Sequence, residues 1–596
     1  MKFFQSFLAS LLAVIVGILV GIPLIFIVLG GILAGIASGG DDVTVPSESV
    51  LHMKLEAPIV EHTSTNPFDD LFGDVPTFGQ SVVDMGLHNV VKSIEHAAED
   101  EKIKGIYLNL NMTVQTGWAN LSTIREALID FKSTGKFVYA YSEMMDEKAY
   151  YVASAADSVF FASRGMMEFN GLASNPTFLK GMLDKLEVTP KVFKVGTFKS
   201  AVEPYLRKDM SPANREQTEQ YIGSIWNTFL SDVAISRKMD QPALDELANS
   251  FILGDGTGAE KSGLVDRAGT EEDVYNAMKA AIGKEPSDKL SLITLKKYMK
   301  APKSENPFSA NKIAVVVAEG TISSGKSSSG TAGSESIVKA LRKARKDPSV
   351  KGIVLRVNSP GGSALASNVI SQEIKLCSEK KPIVASMGDV AASGGYYISA
   401  PCDKIFAQPN TITGSIGIFA VLWDAVDALE TNIGVTFDEV ETNPSANIIN
   451  PFYKLSSGEE DFLQAWTNRG YSDFIGVVQK GRGFADSTSV DNIAQGRVWI
   501  GAKAQELKLV DEMGNLYDAI RYVADQAGIG NEYKATFSPE AESPFEDLLG
   551  QMGQAYQDKM MAEHPLRKEL KAVEGIKKHL PTSGLYMMAQ DDFDIK

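Results

Sequence analysis

Lys351-Gly352-Ile353-Val354-Leu355-Arg356-Val357-Asn358 repeats, with substitutions, an earlier stretch, Lys104-Gly105-Ile106-Tyr107-Leu108-Asn109-Leu110-Asn111, at an offset of 247 residues. A second pair of blocks lies at an offset of 246. Tyr150-Tyr151-Val152-Ala153 matches Tyr396-Tyr397-Ile398-Ser399, and Asp157-Ser158-Val159-Phe160-Phe161 matches Asp403-Lys404-Ile405-Phe406-Ala407. Blocks held at a nearly constant, long spacing point to a duplicated domain, not to a short-period solenoid.

Around these blocks, short apolar runs alternate with helical patterns. In the second half, 313–318, 352–357, 382–387 and 404–407 read as strands, and 334–345 and 364–378 as helices. Strand–helix alternation predicts an α/β fold with mostly parallel pairing. Residues 323–334, mostly Ser, Gly and Thr, read as a loop. Residues 302–310, rich in Ser, Asn and Pro, read as a linker. The chain then divides into an N-terminal segment 1–42, a first repeat 43–301, the linker, a second repeat 311–540 and a tail 541–596. The tail has a helical pattern over 545–561 and no functional reading beyond contact between subunits.

Residues 7–36 carry no charge. As a helix at about 1.5 Å per residue, a tract of that length exceeds the roughly 30 Å hydrocarbon core. A signal-peptide apolar region runs about 7–15 residues, so the tract reads as an uncleaved anchor. Lys2 precedes it and Asp41 and Asp42 follow, which places the N-terminus in the cytoplasm and the rest across the membrane.

Composition removes several function classes. A net charge of −17 over 596 residues leaves no positive field to collect phosphates, so no nucleic-acid partner is expected. Cys377 and Cys402 are too few for a disulfide scaffold or a Cys/His zinc site, and read best as two small buried hydrophobes. The histidines are His52, His62, His88, His96, His564 and His579, so the long body between is without one. A Ser-His-Asp triad or a His-rich metal site there is excluded, and no metal or cofactor is expected.

The two halves differ where chemistry is most easily placed. Asn358-Ser359-Pro360-Gly361-Gly362 stands against Asn111-Met112-Thr113-Val114-Gln115, and Ala391-Ala392-Ser393-Gly394-Gly395 against Met145-Asp146-Glu147-Lys148-Ala149. Ser393 falls on a strand-to-helix turn, where outward-pointing N–H groups favour negative charge. The glycines of the other turn let backbone donors approach a substrate. Either motif alone is equally well a tight βα turn; both together, absent from the sister repeat, favour function. With no histidine, a base must be Lys, Asp or Glu. A buried lysine would serve if its pKa fell from about 10.4 toward 7–8. The residues alone do not choose among the many lysines.

Met387-Gly388-Asp389-Val390-Ala391-Ala392-Ser393-Gly394-Gly395-Tyr396-Tyr397 resembles the nucleophile motif of the signal peptide peptidase A family, also called protease IV. Thr411-Ile412-Thr413-Gly414-Ser415-Ile416-Gly417 resembles its next signature. Val195-Gly196-Thr197-Phe198-Lys199-Ser200-Ala201-Val202-Glu203-Pro204 resembles the segment that carries its lysine base. The likeness to the long, duplicated form covers essentially residues 1–540. It implies Ser393 as nucleophile, Lys199 as general base and Ser415 as the residue that orients the lysine amine. Gly394 with Gly361 and Gly362 become the oxyanion-hole and substrate-binding expectation. Near the place in the second half that matches Lys199 stands Ala446, so the first repeat would supply the base and the second the nucleophile.

The resemblance further implies tandem Clp protease/crotonase-like domains behind one transmembrane helix, assembled as a homotetramer. The expected activity is a serine endopeptidase acting on hydrophobic peptides such as released signal peptides, at the bacterial inner membrane with its body periplasmic. Tyr396, Tyr397 and residues 416–422 are expected to line a peptide groove or pack the core. Two other functions compete. A crotonase-like acyl-CoA enzyme would use the same turns without a nucleophile, and the extracytoplasmic topology opposes it. A non-catalytic membrane scaffold is opposed by the joint presence of Ser393, Lys199 and Ser415.

Overall fold

The computed structural model describes residues 43–63, 84–111, 113–250, 255–301, 309–539 and 584–588. The apolar tract 7–36, most of the linker and the helical pattern at 545–561 lie outside them. No helix among the described residues is long and apolar enough to cross a membrane.

The first repeat builds a sheet in the order Arg267–Gly269, Ser158–Met167, Phe137–Met145, Ile103–Asn109, Ser49–Lys54, Ser291–Thr294, with every neighbour parallel. The second repeat has the matching parallel series: Glu512–Met513, Lys404–Ala407, Ile383–Ala392, Val350–Ser359, Lys312–Glu319 and Lys534–Ser538. Two further strands, Ile412–Gly414 and Val498–Ile500, extend it beyond Ile383–Ala392. The strands Ile103–Asn109 and Val350–Ser359 are buried along nearly their whole length, as parallel strands covered on both faces must be. The shared Lys-Gly-Ile motif has a packing reason. A methyl on Gly105 would lie 2.5 Å from the Phe137 ring, and one on Gly352 2.1 Å from Val523 Cγ1.

The helix Ala364–Ser378 has its expected bounds, with Ser363 accepting the N–H of Ala366 at its start. The strand expected at 382–387 instead runs Ile383–Ala392, up to the residue before Ser393. Part of the expected loop 323–334 is also strand. Thr331–Gly333 pairs with Thr321–Ser323, because Ile322 and Ala332 at the facing positions are buried. Cys377 and Cys402 are buried and form no disulfide.

The repeats share one interior. Val315, Val317, Val354 and Val384 of the second pack in the same apolar cluster as Leu121, Ile124 and Leu128 of the first. They also exchange elements. A third sheet runs in the order Thr331–Gly333, Thr321–Ser323, Gly361–Ser363, Gly584–Met588, Ile418–Asp424, Thr189–Val195. Its last strand comes from the first repeat and pairs antiparallel with Ile418–Asp424 of the second. The 26-residue helix Ser457–Arg482 packs on both of those strands. It starts on a capping box of Ser456 and Glu459 and stops at Gly483, at φ 68°. This exchange carries the lysine of one repeat to the serine of the other.

Candidate active site

Ser393 takes the step from strand Ile383–Ala392 into helix Gly394–Ser399 at φ 54°, ψ −112°. A non-glycine residue in such a region costs on the order of 1–3 kcal/mol, so the surroundings must hold it there. They do so at both ends. The Ser393 N–H donates to the Gly414 carbonyl at 2.8 Å, and the Ser393 carbonyl accepts from Tyr397 N–H at 2.8 Å.

Lys199 arrives by way of Thr189–Val195. That strand ends with Val195 opposite Ile418, three residues past Ser415. Gly196 then turns the chain at φ 113°, where a methyl would strike the Gln495 carbonyl, and Phe198 N–H binds the Gln495 oxygen at 2.9 Å. Arg497 stacks its guanidinium 4.3 Å from the Phe198 ring centre. Gln217 reaches from helix Pro212–Arg237 to the Phe198 carbonyl at 3.2 Å and to Ser200 Oγ at 2.8 Å. The lysine stem is held by glycines. A methyl on Gly496 would lie 2.7 Å from Lys199 Cβ, and one on Gly417 3.2 Å from its Cδ.

The Lys199 amine, in a side chain 1% exposed, meets three atoms: Ser393 Oγ at 2.8 Å, Ser415 Oγ at 3.0 Å and the Ser415 carbonyl at 3.1 Å. Burial alone holds its pKa well below the ordinary lysine value. A neutral amine has one lone pair and two N–H bonds, and three partners are what it needs. In the neutral form, the lone pair accepts the Ser393 hydroxyl and the two N–H groups donate to the two Ser415 oxygens. Ser415 presents both oxygens to one side because it sits at φ 49°, its N–H tied to the Arg497 carbonyl at 2.7 Å.

The three glycines do different things. Gly361, at φ 104°, lies against Gly394: a methyl on Gly361 would be 2.6 Å from Gly394 N. The Gly361 N–H itself donates to Ser359 Oγ at 3.1 Å. Gly362 is packed where a methyl would meet the Ile322 carbonyl at 2.1 Å. Gly394 is the first residue of the helix that follows Ser393, so its amide stands at the helix start beside that serine.

Behind both turns lies a polar cluster that no motif in the sequence signals. Arg356 binds Glu61 at 2.7 Å, Asn358 Nδ2 donates to Glu61 at 2.9 Å, and Glu319 accepts the Glu61 N–H at 3.0 Å. Asp389 accepts the N–H groups of Gly117 and Asn120 at the start of helix Trp118–Ser133. Asn358 and Asp389 lie just before the two glycine-bearing turns, so this cluster fixes where the turns begin.

Among the groove residues expected, Tyr397 lines a cleft beside the site, while Ile416 and residues Ile418 to Leu422 are buried in apolar clusters, the packing role also expected of them. Tyr396 instead donates to the Leu509 carbonyl at 2.8 Å inside the core. A cleft of about 1290 Å³ opens beside the site, lined among others by Ser363, Leu365, Tyr397 and Trp466. Ala446 lies in an exposed turn and is not among the residues that meet Lys199 or Ser393.

Peptidase family S49 matches residues 130–284 and again residues 375–530, once in each repeat. The chain is 38% identical over 508 residues to Protease 4 of Haemophilus influenzae, covering 83% of this chain and 82% of that one. It is 36% identical over 517 residues to Protease 4 of Salmonella typhi, covering 84% and 82%. The chloroplastic serine protease SPPA of Arabidopsis thaliana is 28% identical over 503 residues, covering 83% and 73%. A solved point mutant of ClpP1 from Listeria monocytogenes aligns with 35% of this chain and 94% of its own, at 16% identity and a TM-score of 0.24, too loosely to carry fold or function. Two matches of one family on two sheets of like strand order make the chain a tandem duplication, and with these relatives it belongs to peptidase family S49, as a serine peptidase.

Proposed function

We propose that the chain is a membrane-anchored serine endopeptidase in which Ser393 is the nucleophile and Lys199 the general base, and that its substrates are hydrophobic peptides such as released signal peptides. The observation that carries this reading is the 2.8 Å approach of Lys199 Nζ to Ser393 Oγ, with an amine whose pKa burial holds well below the ordinary lysine value. Ser393 Oγ attacks the scissile carbonyl as Lys199 takes its proton. The developing oxyanion falls toward the Gly394 amide at the helix start. Lys199 returns the proton to the leaving amine, and water then hydrolyses the ester by the same route. Ser415 orients the amine so that its lone pair faces the serine.

Substrates would enter as extended chains, pairing with strand edges in β-augmentation. Gly361–Ser363 and Ile418–Asp424 both present such edges to the same slot. The uncharged tract 7–36 would anchor the chain with its N-terminus cytoplasmic and its body periplasmic, on the surface where spent signal peptides reside. Clp protease/crotonase-like repeats assembled as a homotetramer complete the proposal.

The test is mass spectrometry of the purified protein after a fluorophosphonate probe, alongside Ser393→Ala and Lys199→Ala. The expected adduct lies on Ser393, is absent from the serine variant and forms far more slowly in the lysine variant. A folded protein with no adduct and no peptide cleavage would falsify the dyad.

A further inference from the structure

Helix Pro212–Arg237 belongs to the first repeat, and Ser211 caps it by accepting the Asn214 N–H. Its Gln217 is 2% exposed and uses both ends of the side-chain amide. Nε2 donates to Ser200 Oγ at 2.8 Å and to the Phe198 carbonyl at 3.2 Å, on the two residues that flank Lys199. Oε1 accepts the Val498 N–H of the second repeat at 3.2 Å. Asn214 Oδ1, 3.3 Å from Nε2, steadies the amide from its own helix. A carbonyl on one side and an N–H on the other demand a group that donates at one end and accepts at the other. A carboxylate lacks the donor, and an ammonium lacks the acceptor.

Val498 leads straight to the serine. It stands opposite Gly414 where Val498–Ile500 pairs with Ile412–Gly414, and the Gly414 carbonyl receives the Ser393 N–H at 2.8 Å. The residue before it, Arg497, gives its carbonyl to the Ser415 N–H at 2.7 Å. The path from base to nucleophile thus runs from the residues beside Lys199 through the Gln217 amide to Val498 and Gly414. Arg497 sends its side chain the other way across the same boundary. It pairs with Glu216 at 2.6 Å and donates to Gln220 Oε1 at 2.8 Å, both neighbours of Gln217 on the helix. Its guanidinium also lies over the Phe198 ring.

We propose that Gln217 is a positioning residue of the dyad: it sets where the Lys199 amine stands against Ser393 Oγ by tying the lysine turn of one repeat to the strand that supports the serine of the other. The inference rests on the dyad reading above. Gln217 is not among the three partners of the amine, so it acts through the backbone that carries the lysine. A lysine stem is flexible, and a misplacement of about 1 Å can cost on the order of 10²-fold in rate. Sliding the turn along Val498–Ile500 would strand the amide, the Phe198 carbonyl and the Val498 N–H in the interior, where an unpaired polar group is costly. The bridge therefore holds the two segments in register.

The full-length protein in detergent is tested by the second-order rate of fluorophosphonate labelling at Ser393, for wild type, Gln217→Met, Lys199→Ala and the double variant. That rate is read on the molecules that label, so a loss of folded protein does not change it. Gln217→Met should slow labelling roughly 10–100-fold where Lys199 is present. Where Lys199 is already alanine, it should slow labelling by no more than about twofold. On a peptide substrate kcat should fall and KM should hold. Gln217→Asn keeps an amide but is too short to reach both partners; it should give the same pattern, and it replaces the methionine variant if that one does not fold. Equal slowing with and without Lys199 assigns Gln217 to the fold at large and overturns the inference, as does unchanged labelling in a folded Gln217 variant. Lys199→Ala that labels as fast as wild type overturns the dyad, and this inference with it.

Discussion

Arg356 and Glu61 form an ion pair across the boundary between the repeats, Nε to Oε2 at 2.7 Å, with side chains 2% and 0% exposed. Arg356 also donates to the Met387 carbonyl at 2.8 Å, to Ser386 Oγ at 3.0 Å and to Asn120 Oδ1 at 3.0 Å. In the first repeat the matching residue is Asn109. Removing one partner of a buried pair leaves the other charge unpaired, at a cost of about 3–5 kcal/mol. Arg356→Met should therefore lower the melting midpoint markedly, and adding Glu61→Gln should recover most of the loss. Melting curves of the single and double variants at one scan rate check this; a double variant no better than the single refutes it.

Burial depresses the Lys199 pKa, and two pH effects follow. Activity should climb as pH rises through that depressed pKa, with its limb well below the ordinary lysine value of about 10.4. Lys199→Ala should lose about 10²–10⁴ in rate and lose that limb. For stability, the unfolded chain binds the lysine proton more tightly than the folded one. The contribution of Lys199 to stability therefore rises with pH up to the ordinary lysine range, and Lys199→Met should be the more stable protein at neutral pH. Melting midpoints near neutral pH and at the ordinary lysine pKa measure it: the advantage of the methionine variant should shrink at the higher pH.

Ser415→Ala removes one of the two oxygens that receive the Lys199 N–H groups and leaves the carbonyl at 3.1 Å. The loss of one hydrogen bond of about 1–1.5 kcal/mol in the reacting arrangement corresponds to roughly tenfold in kcat. KM should hold, since Ser415 lies beneath the lysine. Steady-state kinetics on a single peptide would show the split; a change confined to KM would contradict the orienting role.

Glu319 is pushed up to about 8, by burial first and then by the charge of Glu61. Asp389 is pushed up to about 6 by the same two causes, against the pull of Arg356 and two amides. For a carboxyl raised in the folded state, the stabilisation is full below its ordinary pKa and is lost as pH rises through the folded one. The contribution of these two carboxyls to the melting midpoint should thus fall between about pH 4.5 and 8, and Glu319→Gln should remove the upper part of that fall from the wild-type profile. A Glu319→Gln profile superimposable on the wild type would remove this cluster as the cause.

The strands and helix of the second repeat are legible because their patterns are local. Helix Ala364–Ser378 has its cap and apolar spacing in one window, and the strand at Lys404–Ala407 is a continuous apolar run. Ile383–Ala392 reads short in sequence because Gly388 and Asp389 interrupt its apolar run. Their places are explained by contacts far away in sequence: Asp389 binds Gly117 and Asn120, and a methyl on Gly388 would meet Glu61. The lysine cradle escapes a sequence reading for the same reason. Gly417 stands inside a quoted motif and Gly496 in none, and only their approach to Lys199 gives them a role.

Residue identity and spacing along single stretches are enough for the duplication, the α/β alternation, the absence of a histidine base from the body and the asymmetry of the glycine-rich turns. Folding in three dimensions was needed to bring Lys199, 194 residues before Ser393, to that hydroxyl, and to let Ser415 receive the remaining protons. The same holds for the five residues near the C-terminus that lie between Gly361–Ser363 and Ile418–Asp424. Strand pairing and desolvation depend on which surfaces meet, and a short apolar run carries no mark of its partner until the chain has closed around it.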